Sequence, residues 1–252
     1  MRELFCKILF YFILSTSAYG KLNVYGVGNI NVVFESGMGD GEESWGEVSG
    51  FLSQCVTVIT YKRGETKLKS LKKIHANDVA ENLNILLRNG KVRPPYIMVG
   101  HSLGGLYAQA FTRNYPGLVS GLILIDATSP LEHHGLFKSK AVIKEGSYVS
   151  QENSGIDDSI NEMNSGPLMP NIPLVIIAAN NHQDTFENES IWQDIQRKTA
   201  MLSEKGKYIN IESDHYVQKS RPEIVIKSIL DMISENGGDI SSCIEKRSQP
   251  KR

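Results

Sequence analysis

The chain has 252 residues, 40% hydrophobic and 22% charged, with a formal net charge of −1. That length fits one large α/β domain and can bury a sizeable core. The near-neutral balance argues against a nucleic-acid partner, since the basic cluster Lys246, Arg247, Lys251 and Arg252 is confined to a short C-terminal tail.

The amino terminus reads as a secretory signal. Arg2 and Lys7 precede or open an apolar run from Ile8 to Leu14, and Ser15, Thr16, Ser17 and Ala18 follow it. Cleavage after Ala18 or after Gly20 fits, so residues 1–20 are expected to leave a secreted or periplasmic chain. The competing reading is an uncleaved anchor. The run is much shorter than the ~20 residues needed to cross a bilayer, and no stable membrane span is expected after cleavage. Cys6 would depart with the signal, leaving Cys55 and Cys243 either as a disulfide or as two unpaired thiols.

Beyond the signal, apolar runs alternate in type. Asn31–Phe34 reads as a strand that ends at the loop Glu35-Ser36-Gly37-Met38-Gly39. Trp45, Val48, Phe51 and Leu52 then recur at helical spacing, and the β-branched run Val56–Tyr61 reads as a second strand. Val79, Leu83, Leu86 and Leu87 share one face of a helix that Asn89-Gly90 stops. Tyr96–Val99 is a strand, followed by a helix through Tyr107 and Phe111 that ends near Tyr115-Pro116-Gly117. Leu122–Ile125 is apolar throughout, as a strand covered on both faces must be. The polar stretch 127–171 breaks the rhythm with few apolar anchors and reads as a cap-like insertion over the strand ends. Leu174–Ile177, a helix around Ile191–Leu202, a strand at Tyr208–Ile211 and a last helix carrying Ile224, Val225, Ile229 and Ile233 complete the pattern. This alternation predicts a mostly parallel sheet with helices on both faces, one domain over residues 21–240, and a polar, basic tail at 241–252.

Gly100-His101-Ser102-Leu103-Gly104 lies between a predicted strand and a predicted helix. Gly-x-Ser-x-Gly in that setting is a strained turn that lifts the serine above the sheet as a nucleophile. The glycines allow neighbouring backbone to approach where a Cβ would clash. The helix start aims N–H groups at the site, so the Leu103 N–H is one oxyanion donor. The loop after the first strand should supply the second, and the Met38 N–H is the candidate.

These residues resemble the α/β-hydrolase superfamily. The resemblance runs from about Val32 to Ile233 and rests on Ser36-Gly37-Met38-Gly39 with Trp45, on Pro94–Gly105, and on Tyr115-Pro116 leading to Gly121–Asp126. It looks like a small esterase-like member with a short cap, and implies an α/β-hydrolase fold and a Ser, acid and His in that chain order. One departure stands out. Where such enzymes often carry Tyr-Asp-x-x-Gly-x-Gly-x-Ser, this chain has Tyr61-Lys62-Arg63-Gly64-Glu65-Thr66-Lys67, which puts that loop in question.

His215 lies after the last strand and before the last helix, where the resemblance puts the base, and a neutral imidazole there can take and return the serine proton. His101 is expected to pack beneath the turn. His133 and His134 fall in the insertion as solvated loop residues, and His75 and His182 carry no signal beyond surface placement. No metal or other cofactor is implied. The acid has two candidates. Asp126 opens Asp126-Ala127-Thr128-Ser129-Pro130, which resembles the Asp-Pro-Ala-x-Pro of pancreatic-type lipases, whose acid is placed there; Asp184 follows the next strand but sits later than the usual spacing. Asp126 is preferred and Asp184 is the alternative. The chain is therefore expected to be a serine esterase acting on a small-molecule acyl substrate. The alternatives are an idle binding module on the same fold, or an acyltransferase or peptidase using the same triad.

Overall fold

A computed structural model describes residues 20–132, 143–241 and 243–244. Its centre is a seven-stranded sheet in the order β1-β3-β2-β4-β5-β6-β7. The strands are β1 (Leu22–Gly26), β2 (Asn31–Glu35), β3 (Thr57–Tyr61), β4 (Tyr96–His101), β5 (Val119–Ile125), β6 (Leu174–Ala179) and β7 (Gly206–Ile211). All neighbours run parallel except β1, which pairs antiparallel with β3 at the edge. β1 escaped the sequence reading because an edge strand need bury little: Val24 and Tyr25 stay exposed, so no apolar run marks it.

Period-two alternation divides the central strands between two cores. Val33, Ile59, Met98, Leu122 and Leu124 face one layer, built on α2 (Ala76–Asn89) and α3 (Leu103–Asn114). Val32, Phe34, Val58, Ile97, Val99, Ile123 and Ile125 face the other, with α1 (Gly46–Leu52) and α8 (Pro222–Glu235). Cys55, just beyond α1, is bridged to Cys243, with Cα atoms 5.3 Å apart, so the two thiols left open by the sequence are paired. The bridge fixes the C-terminal segment to this second layer.

The insertion is more ordered than its composition suggested. It contains α4 (Tyr148–Ser154) and α5 (Ile156–Ser165), and Ile160 and Met163 of α5 are buried in the first core. Few apolar residues are needed because Ile156, Ile160 and Met163 fall on one helical face. The joint between the helices lies against the body: a Cβ at Gly155 would sit 2.0 Å from the Ile74 carbonyl oxygen. His133 and His134 lie outside the described residues, as do residues 1–19 of the expected signal. Among the described residues, no helix is long and apolar enough to cross a membrane. After β6 come α6 (Phe186–Ala200), then β7 and the short α7 (Val217–Ser220), so the loops following β4, β5, β6 and β7 open at the same end of the sheet.

Candidate active site

Ser102 occupies the junction between β4 and α3 with φ 52° and ψ −128°, a conformation that L-residues avoid. The chain tolerates it because the crossing is tight and the glycines leave room. A Cβ at Gly104 would lie 2.2 Å from the Ser36 carbonyl oxygen, and one at Gly100 would lie 2.6 Å from the Gly105 Cα. The Ser102 N–H donates to Ile125 O at 3.1 Å, and the Ser102 carbonyl accepts from Thr128 N at 3.0 Å, tying the turn to the loop after β5. Leu103 is the first residue of α3, so its N–H has no acceptor within the helix. Among the described residues, the Met38 N–H has no hydrogen-bond acceptor either.

Asp126 follows β5, also at positive φ (42°), and is completely buried. Its carboxylate accepts four hydrogen bonds. Oδ1 takes the Ala179 N–H at 3.0 Å and the Trp192 indole N–H at 2.7 Å, while Oδ2 takes His215 Nδ1 and His182 Nε2, each at 2.6 Å. Burial alone would raise this carboxyl, but hydrogen bonds from His182 and His215 and their charge outweigh it and hold the pKa at about 2. Of the two acid candidates, the fold thus brings Asp126 to His215. Asp184 instead sits just before α6, where its Oδ1 accepts from the N–H of the N-cap residue Thr185 at 2.7 Å and from Asn188 Nδ2 at 2.9 Å.

His215 is held in the loop after β7, where the Asp214 carboxylate accepts from Tyr216 N and Ser220 Oγ. With Nδ1 engaged by Asp126, Nε2 is the ring nitrogen of His215 turned away from that carboxylate. His101, expected beneath the Ser102 turn, packs against this loop. Its Nε2 donates to the His215 carbonyl at 2.9 Å, and its ring lies 4.7 Å from that of His215. Burial and the nearby His215 push its pKa down to about 3, so it stays neutral.

His182 corrects the sequence reading. It is not a surface residue: its side chain is 9% exposed and bridges Asp126 to Glu189, which accepts at Nδ1 (2.9 Å) and from the His182 backbone N–H (2.7 Å). Burial opposes its charge, but hydrogen bonding to Asp126, then the Asp126 charge and Glu189, raise the pKa to about 9. It is an imidazolium at neutral pH. No motif marks it, because its partners Asp126 and Trp192 lie on other elements; only its place in the loop after β6, where an acid was sought, pointed to the right region. His75 is likewise more than surface, closing a capping box at the start of α2 and meeting Glu162 of α5 at 3.0 Å.

Asp126, His182 and His215 bring ligand-type atoms within 4.8 Å of one another. Both imidazoles reach the same oxygen at hydrogen-bonding distance, a geometry that shares protons among the three groups.

Comparison with known proteins agrees with this architecture. Residues 37–144 match the family model described as alpha/beta hydrolase fold. The uncharacterized protein YqjL of Bacillus subtilis is 24% identical over 221 residues, covering 82% of this chain and 85% of that protein. Among solved structures, a thermophilic esterase from Thermogutta terrifontis superposes with a TM-score of 0.68 at 16% identity, covering 85% of this chain and 93% of its own. The epoxide hydrolase CorEH superposes at 0.61 with 17% identity, covering 85% and 94%. The parallel sheet, the serine turn after β4 and these matches agree: this chain is an α/β-hydrolase-fold protein.

Proposed function

We propose that the protein is a serine hydrolase that cleaves an ester or related acyl bond of a small molecule through an acyl-enzyme on Ser102. The observation that carries this reading is the 2.6 Å hydrogen bond from His215 Nδ1 to the buried Asp126 carboxylate, made beside the strained Ser102 turn. Asp126 fixes the tautomer of His215 and stabilises the imidazolium that forms. His215 Nε2 takes the Ser102 hydroxyl proton as Oγ bonds to the acyl carbon, and the Met38 and Leu103 N–H groups receive the oxyanion. The intermediate collapses, and the leaving group departs with the proton from His215. Water, activated by the same imidazole, then releases the acid.

A serine nucleophile argues for this over epoxide opening, for which an aspartate would be expected at the turn. The reaction needs no metal or organic cofactor. The Cys55–Cys243 bridge supports an exported location for the chain, since such bonds persist in oxidising compartments.

A fluorophosphonate probe tests the reading: it should label the protein, and labelling and ester turnover should both vanish in Ser102→Ala. A protein that resists the probe and turns over no ester or amide is a binding module. Labelling without hydrolysis, but with transfer to an added alcohol, identifies an acyltransferase.

A further inference from the structure

Arg63 lies in the segment where the sequence departs from its resemblance, and the fold gives it a specific task. Its Nη1 donates to the Ser36 carbonyl at 2.8 Å and its Nη2 to the Gly37 carbonyl at 2.7 Å. Its Nε donates to Glu152 of α4 at 2.8 Å, and Nη1 also reaches Glu35 at 3.1 Å. The second oxygen of Glu152 accepts the Gly39 N–H at 2.8 Å. One guanidinium and one carboxylate therefore grip the loop on both sides of Met38. Arg63, Glu152 and Glu35 are all buried, Tyr61 donates to Glu35 at 2.5 Å, and the guanidinium lies 5.0 Å from the centre of the Tyr107 ring.

A buried charge cluster is a poor device for stability, because apolar residues of similar volume serve as well. What this cluster does is orient one peptide. In a planar trans peptide the C=O and the N–H point in opposite directions. With the Gly37 carbonyl turned onto Arg63, the Met38 N–H must point away from it. A lysine at 63 could not make the same fork, since an ammonium is a point donor without fixed planar geometry.

Resting on the acyl-enzyme reading, we infer that Arg63, clamped by Glu152 of the insertion, is the positioning residue that presents the Met38 N–H to the oxyanion. The insertion is then part of the catalytic apparatus. Seating α4 sets the Glu152 carboxylate, which sets Arg63 and Gly39, which together set the donor.

The test uses the full-length protein and two substrates, p-nitrophenyl acetate and its thionoester, whose developing negative charge falls on sulfur, a weak hydrogen-bond acceptor. In Arg63→Lys, kcat on the oxoester should fall about 10–100-fold, with KM changed less than about 3-fold. The thionoester should lose far less, so the oxoester/thionoester rate ratio collapses. Glu152→Gln, which keeps the side-chain volume, should show the same pattern at several-fold, and it carries the test if Arg63→Lys does not fold. Equal losses on both esters, or unchanged kcat, in a folded variant overturn the inference. Failure of the underlying reading looks different: Ser102→Ala would then keep its turnover.

Discussion

His182 and His215 donate to the same oxygen, Oδ2 of Asp126, each at 2.6 Å. One of these imidazoles comes from the loop after β6 and the other from the loop after β7, so two histidines compete for one carboxylate charge. Glu189 backs His182 from α6, which keeps that competitor protonated.

Replacing Asp126 with Asn should leave the fold intact but lower kcat by about 10³–10⁴-fold, because an amide cannot hold the required tautomer or stabilise the imidazolium. Asp184→Asn should turn over at close to the wild-type rate, since Asp184 serves the α6 terminus. Steady-state kinetics on p-nitrophenyl esters compares the two. Asp184→Asn losing the activity while Asp126→Asn keeps it would reverse the assignment.

Removing the His182 charge should strengthen the pairing of Asp126 with His215. The same cation contributes to folding. Its pKa is raised from the ordinary 6.5 to about 9, so its stabilisation is present below 6.5 and lost as pH rises through about 9. Wild-type Tm should fall across that window more steeply than Tm of the His182→Gln variant.

Glu35 has the same sign of linkage through a different cause. Burial, opposed by Arg63 and Tyr61, raises its carboxyl from 4.5 to about 7. The protonated form is favoured by folding, so this contribution is present below 4.5 and lost as pH rises through about 7. Glu35→Gln should flatten the dependence of Tm on pH between those limits. A slope identical to the wild type would remove Glu35 as its source.

The Cys55–Cys243 bridge closes a separation of 188 residues. Cys243→Ser should cost about 2–4 kcal/mol, read as a Tm lower by roughly 5–15 °C. Activity at low temperature should persist, because both cysteines pack in the α1 and α8 layer and not in the loops that carry Ser102, Asp126 and His215. A Tm indifferent to reducing agent would contradict a bridge formed in solution.

Gly104→Ala should abolish the Ser102 turn. Its Cβ would meet backbone oxygens of Ser36 and Glu35 at 2.2 and 2.3 Å, atoms that cannot move without distorting β2. The expected result is loss of fluorophosphonate labelling together with a lowered Tm. Labelling at the wild-type rate would show that the crossing is looser than these distances require.

Much was legible from the residues in order. The parallel strands β2 to β6 announce themselves because strands covered on both faces must be largely apolar along their length. Ser102 is readable because a tight strand-to-helix turn imposes glycine at fixed offsets, and His215 because it precedes a plainly amphipathic helix. The tertiary structure decided what depends on partners distant in sequence. It set Asp126 against His215, because the loops after β5 and β7 converge there. It drew His182 out of an unmarked loop and into that carboxylate. It also turned Arg63, a residue of a broken motif, into the clamp of the Met38 loop, because its partners Ser36, Gly37 and Glu152 come from two other parts of the chain. Periodicity records which face of an element is buried; which polar groups meet there is set by the packing of the elements.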